Sequence, residues 1–166
     1  MSKFAPQLDL LTGAWKRAYF EQQLAAAVSQ SQRRRDPISL IQLDVDDLHE
    51  HNDVHGIVSV DAALGWLASK LAELINGRGP IGRFEGGTFA TFLPKLDRQP
   101  AISLAEEMRA QISQAAHDSS AGRYSITVSV GVVAMRPGEP WGNLLEAADL
   151  ACRKAKHGGK DAVVHR

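Results

Sequence analysis

The sequence predicts an α/β (α+β) domain in which one mixed sheet carries helices packed against it. Three observations predict it. Short β-branched and apolar runs alternate with longer stretches whose apolar residues recur at helical spacing. A glycine pair, Gly86-Gly87, divides the apolar segments on either side of it, the composition of a tight hairpin. The chain has 166 residues and is 44% hydrophobic, enough for one core without disulfides or a structural metal. One domain over 1–166 is therefore expected.

Asp9 to Gly13 reads as a turn, and Trp15 to Gln32 as a first helix with Tyr19, Phe20, Leu24 and Val28 on one face, ended by charge and Pro37. Ile38 to Val45 (ISLIQLDV) is a buried strand running into an acidic loop, which puts carboxylates at a strand's C-terminal end. Ser59 to Ile75 has the period of a second helix, closed by Asn76-Gly77 and Gly79-Pro80. Ile81 to Leu93 is the hairpin. Ile102 to Ala116 is a third helix, Tyr124 to Met135 a strand, Leu144 to Lys156 a fourth helix and Ala162 to Val164 a final strand. The order helix, strand, helix, hairpin, helix, strand, helix, strand lies close to the split βαβ plan.

Charge and composition narrow the function. Lys plus Arg number 19 and Asp plus Glu 19, so no global field draws the protein to nucleic acid or an anionic membrane. Arg33-Arg34-Arg35 reads as a solvated helix end. The single cysteine, Cys152, lies among apolar helical positions and reads as packing. No apolar run is long enough for a signal peptide or a membrane span, so a cytoplasmic location is expected. His49, His51 and His55 read as exposed loop histidines rather than zinc ligands, since no second cysteine and no helical pattern supports a closed site. Asp44, Asp46 and Asp47 alone are an ordinary acidic turn. Asn52 alone is a turn cap, and Asp61 a first-turn helix carboxylate.

Several motifs, in order and in register, change the weight of those residues. Asp9-Leu10-Leu11-Thr12-Gly13, followed by Arg17 and Phe20, resembles the D-x-L-T-G opening of the GGDEF family. Asp44-Val45-Asp46, Asn52-Asp53, Gly56 and Asp61-x-x-Leu64 resemble its D-x-D, N-D-x-x-G and D-x-x-L run. Ser129-Val130-Gly131 resembles its S-[IV]-G strand, and Ala148-Asp149, Ala151 and Ala155-Lys156 its A-D-x-A-x-x-x-A-K helix. The resemblance covers residues 9 to 164 and implies a ferredoxin-like, nucleotidyl cyclase-type sheet, mainly antiparallel and surrounded by helices. It also implies GTP as substrate, a homodimer holding one GTP in each half, and Mg2+ held by two carboxylates.

The departures concern the chemistry. Where the family has G-G-[DE]-E-F, this chain has Glu85-Gly86-Gly87-Thr88-Phe89. By resemblance the metal carboxylates are Asp44 and the position of Gly87, so one is missing, and Thr88 cannot act as a carboxylate acid or base. Glu85 brings an anion beside the expected triphosphate. Residues two apart on a hairpin share a face, so Glu85 is expected beside Gly87 unless the turn rotates them apart. The family's R-x-x-D product site is replaced by Asn76 and Gly79. Asn52 and Asp61 match the guanine-reading pair, and Lys156 and Lys160 the phosphate-holding pair, with Asp44 left as a residual metal ligand. No catalytic residues are expected. The resulting reading is a degenerate GGDEF domain that regulates or binds proteins in cyclic di-GMP signalling and holds GTP weakly. No cofactor is required, and Mg2+ accompanies GTP if it binds. Its partners would be other cyclic di-GMP signalling proteins or domains, or a second copy. Two other readings stay open: an active diguanylate cyclase with an atypical turn, and a purely structural dimerisation or packing domain.

Overall fold

The computed structural model describes residues 7–166, so Met1 to Pro6 of the expected domain lie outside the described residues. The elements are β1 (Trp15–Lys16), α1 (Arg17–Arg34), β2 (Ile38–Val45), α2 (Leu48–His55), α3 (Ile57–Ile75), β3 (Gly82–Glu85), β4 (Thr88–Pro94), α4 (Arg98–Gln114), β5 (His117–Ser119), β6 (Gly122–Tyr124), β7 (Val128–Ala134), α5 (Trp141–His157) and β8 (Ala162–His165). A six-stranded sheet runs in the order β1-β3-β4-β2-β7-β8. The pairings β3 with β4, β4 with β2 and β2 with β7 are antiparallel, and only the outer pairs β1 with β3 and β7 with β8 are parallel. The mainly antiparallel mixed sheet expected from the sequence is therefore the one found.

Alternation along β2 divides the core into two layers. Ile41, Leu43 and Val45 pack with α3 and α4, whereas Ile38 and Leu40 join Phe20, Leu24 and Val28 of α1 and Leu144, Leu145 and Ala148 of α5 on the other face. Gly131 of β7 sets the position of α5. A Cβ there would stand 2.4 Å from the Ala148 carbonyl oxygen and 2.5 Å from the Cys152 nitrogen, so only glycine lets the helix backbone lie this close to the strand.

Four local features differ from the sequence reading. Leu48–His55, expected as loop, is helix α2; with no buried residue it has no apolar stripe to betray it. The strand expected from Tyr124 begins only at Val128, because Tyr124 closes a separate small hairpin of β5 and β6. α4 begins at Arg98 rather than Ile102: Asp97 caps it by accepting from the Arg98 backbone N–H at 2.8 Å, and Pro100 is tolerated because it falls in the first turn. α3 begins at Ile57, which leaves Asp61 beyond the first turn.

Candidate functional site

The end of β2 meets the tip of the β3–β4 hairpin and one face of α5, from Trp141 to Lys156, in an open cleft of about 510 Å3, lined among others by Gln42, Asp44, Glu85, Thr88, Asp149 and Lys156. Gln42 and Asp44 point to the same face of β2. Gln42 donates to Asp149 of α5 at 2.9 Å. Asp44 lies opposite Thr88 in the register, and the Thr88 hydroxyl donates to Asp44 Oδ1 at 3.0 Å. Asp44 Oδ2 pairs with Lys156 Nζ at 2.8 Å. Both oxygens of this carboxylate are thus engaged within the protein.

Asp46, two residues on, is buried and has a different environment. It accepts from the Thr127 hydroxyl at 2.7 Å, the Ser129 hydroxyl at 2.6 Å and the Asp161 backbone N–H at 3.0 Å. Lys156 Nζ stands 3.5 Å from it and also donates to the Val45 carbonyl at 3.2 Å. Burial pulls the Lys156 ammonium down, but the hydrogen bond and charge of Asp44, with Asp46 behind it, outweigh this and hold it above the usual lysine range. Cys152, beneath the cleft, is a buried thiol pushed up to about 12, chiefly by burial, and is inert at neutral pH.

At the hairpin tip, Gly86 takes the positive φ of 48° that a two-residue turn needs at its first position. The turn rotates the motif. Glu85 pairs with Thr88 and lines the cleft with Asp44, whereas a Cβ on Gly87 would point at the other side, 2.9 Å from Val45 Cβ and 3.2 Å from Leu48 Cδ2. The expectation that Glu85 and Gly87 share a face is therefore corrected: a bulge between Arg83 and Glu85 and the turn itself break the two-residue alternation. Phe89 is fully buried in the core. Arg83 binds the Gly86 carbonyl at 2.8 Å and Asp9 at 3.0 Å, tying the hairpin to the entry turn.

Asn52 lies in the last turn of α2 and Asp61 on α3; both are half-buried. Neither caps its helix: the cap positions of α2 are Asp47 and Gly56, and α3 follows from Gly56. Lys160 pairs with Asp47, which lowers the acid and raises the base through their hydrogen bond. Both candidate phosphate lysines are thus held by aspartates. Asn76 ends α3 in the left-handed region, and a Cβ at Gly79 would stand 2.1 Å from the Phe92 carbonyl oxygen. Arg78, between them, is consumed in capping α3, donating to the Ile75 and Leu74 carbonyls.

His51 and His55, expected on a loop, face Tyr124 from α2, with the His55 and Tyr124 rings stacked at 3.8 Å. Among the described residues no cluster of three or more His, Cys, Asp or Glu has metal-binding geometry, and no helix is long and apolar enough to cross a membrane. The sequence reading missed Gln42, Trp141 and Arg153 as cleft residues. Gln42 had a signal, being the one amide within the mostly apolar run ISLIQLDV.

The Mg2+ that the resemblance implies needs oxygen ligands, commonly one or two carboxylates, in near-octahedral array. This donor set does not fit. Both Asp44 oxygens already have partners, Gly87 brings no side chain, and Thr88 offers a neutral hydroxyl where a second carboxylate is needed.

Residues 7–162 match the family model described as diguanylate cyclase, GGDEF domain. The chain is 31% identical over 155 residues to diguanylate cyclase DgcP of Pseudomonas aeruginosa, an alignment covering 93% of this chain and 23% of that protein. Among solved structures, the GGDEF domain of DgcB from Caulobacter crescentus, in complex with c-di-GMP, superposes with a TM-score of 0.92 at 27% identity, covering 99% of this chain and 96% of that one. Diguanylate cyclase SiaD from Pseudomonas aeruginosa, in complex with its activator SiaC, superposes with a TM-score of 0.90 at 31% identity over 96% of this chain and 61% of that one. The chain spans under half the length of the curated relatives it matches.

Proposed function

This chain belongs to the GGDEF domain family, and on that premise we propose that it serves cyclic di-GMP signalling as a regulatory module that binds GTP weakly and does not cyclise it. The observation that carries this is the hairpin tip. Cyclisation needs metal-assisted attack of a 3′-hydroxyl on an α-phosphate, and the tip offers Asp44 a threonine hydroxyl where the family offers a carboxylate. Gly87 cannot take a side chain without displacing Val45 or Leu48. Loss of even one charge-stabilising group in such a site costs on the order of a hundredfold in rate.

Asn52 and Asp61 read the guanine edge in this proposal, and Lys156 and Lys160 meet the phosphates. Binding is weak because the phosphates must compete with Asp44, Asp46 and Asp47 for two ammonium groups already paired. A relative seen with its activator supports a protein partner for such a module. The test is incubation of the chain with GTP and Mg2+, followed by chromatography. No cyclic di-GMP is expected, and product that disappears in Asp44→Ala overturns the proposal. In calorimetry, Asn52→Ala and Asp61→Ala should each weaken GTP by about tenfold, the cost of one or two lost hydrogen bonds. A second reading, an atypical cyclase, rests on Glu85, the hairpin's remaining carboxylate, lining the same cleft as Asp44. The same chromatography decides it.

A further inference from the structure

The misfit between this site and a divalent metal has a positive cause beyond the missing carboxylate. Lys156 Nζ stands 2.8 Å from Asp44 Oδ2, 3.5 Å from Asp46 Oδ1 and 3.2 Å from the Val45 carbonyl oxygen. Two carboxylates and one carbonyl converge on a single cation, and that cation belongs to the chain. We infer that the Lys156 ammonium is a built-in substitute for a divalent ion at the end of β2, and that it excludes such an ion from Asp44.

The position is set by packing. α5 is seated on β7 through the contact at Gly131, which permits backbone atoms of Ala148 and Cys152 to approach where any side chain would block them. Lys156, one turn beyond Cys152 on the same helix, is delivered to the end of β2 by that contact. Its carboxylate partners are fixed as well. Asp46 is buried and held by three further donors, and Asp44 is held by Thr88. A divalent ion entering between Asp44 and the Val45 carbonyl would have to displace the ammonium, because two positive charges cannot share so small a space without strong repulsion. Displacing it would take from buried Asp46 the one side-chain cation that touches it among the described residues. In a site with a second hairpin carboxylate, the extra negative charge would favour the divalent ion. With Gly87 and Thr88, nothing replaces the charge that the lysine balances. Lys156 is therefore a specificity-determining residue for the cation in the nucleotide-free chain.

The test uses Mn2+, which shares the preference of Mg2+ for carboxylate, carbonyl and water oxygens and can be counted by electron paramagnetic resonance. It is titrated, without nucleotide, into the native chain, Lys156→Gln, Lys156→Ala and the double variant Lys156→Gln with Asp44→Asn. The native chain should hold no Mn2+ that Asp44→Asn removes. The Lys156 variants should gain a site at least about tenfold tighter than any native uptake, since a competing charge-assisted contact has gone, and the double variant should lose it. Gln keeps hydrogen-bonding capacity toward Asp46 and Val45 without the charge, so it decides the matter if Ala fails to fold. Two results overturn the inference: native uptake of Mn2+ that Asp44→Asn abolishes, or no gain in a folded Lys156 variant. Weak or absent GTP binding bears only on the proposed function, because no nucleotide enters this titration.

Discussion

Helix α2 is held by two regions of opposite character. Its N-terminal end is fixed by charge: Asp47 pairs with Lys160, and just before it Asp46 and Asp44 share Lys156. Its inner face is held by stacked rings. His55 stacks on Tyr124, His51 lies 5.6 Å from the same ring, and His117 lies 5.6 Å from it on the other hairpin strand and 5.0 Å from Trp66. Ser119 meets the His55 Nδ1 at 2.8 Å, and Ser59 meets the Tyr124 hydroxyl at 2.9 Å. The charged region depends on buried Asp46 keeping every donor it has, whereas the ring region depends on stacking around Tyr124 and on the burial of His117. One helix therefore carries two contacts that fail for different reasons.

The largest effect expected is at the charged region. Asp46→Ala leaves the Thr127 and Ser129 hydroxyls, the Asp161 N–H and part of the Lys156 charge without an acceptor in a buried place. Removing one partner of a buried, hydrogen-bonded charge costs about 3 kcal/mol or more, and urea denaturation of Asp46→Ala should show a loss of that size. Asp44→Ala, at the solvent-open end of the same pair of acids, should cost far less. Equal losses in the two variants would show that Asp46 is not the anchor.

A smaller effect, of opposite origin, is expected at the rings. Burial, more than any charge, holds the His117 imidazole below its ordinary 6.5, and its Nε2 is enclosed without a hydrogen-bond partner among the described residues. The folded chain therefore binds this proton less readily than the unfolded chain. Stability from this group is present above about pH 6.5 and is lost as pH falls through the folded value. Asp9, Asp47 and Glu139 are also lowered, by their hydrogen-bond partners against burial, but they titrate in a more acidic window. Melting temperatures measured between pH 7 and pH 5 should thus fall in the native chain and fall less in His117→Phe. Parallel curves would remove His117 from the account.

How much of this was legible in the sequence follows the same division. Elements with many apolar residues at regular spacing, such as β2, α3 and α5, could be read because burial imposes the period. α2 could not be, since its contact is made by His51 and His55, which carry no hydrophobic signal. Asp44 and Lys156 were visible as motif positions, but their pairing joins residues on β2 and α5 that are distant in sequence, and only the packing at Gly131 brings them together. Glu85 was expected in the cleft and lines it, whereas Gly87, expected beside it, lies on the other side because alternation along a strand does not continue through a two-residue turn.

The smallest expected effect concerns Glu85. Glu85 lines the cleft with Asp44 and Thr88 and is exposed. Arg17, a cation in the same cleft, lies over the Phe84 ring and is paired with Glu21 rather than with Glu85. An unpaired carboxylate at the mouth repels a triphosphate, but water and salt screen it across an open cleft. Glu85→Gly should therefore tighten GTP only severalfold, about 1 kcal/mol or less, as exposed charges usually contribute. The gain should shrink as salt is raised, which separates repulsion from a change in hairpin shape, since a shape change would persist in salt. Weaker GTP binding in Glu85→Gly would reverse the sign. It would mean that Glu85 supplies the carboxylate that Gly87 lacks, reached from the other face of the turn, and the site would then be relocated rather than lost.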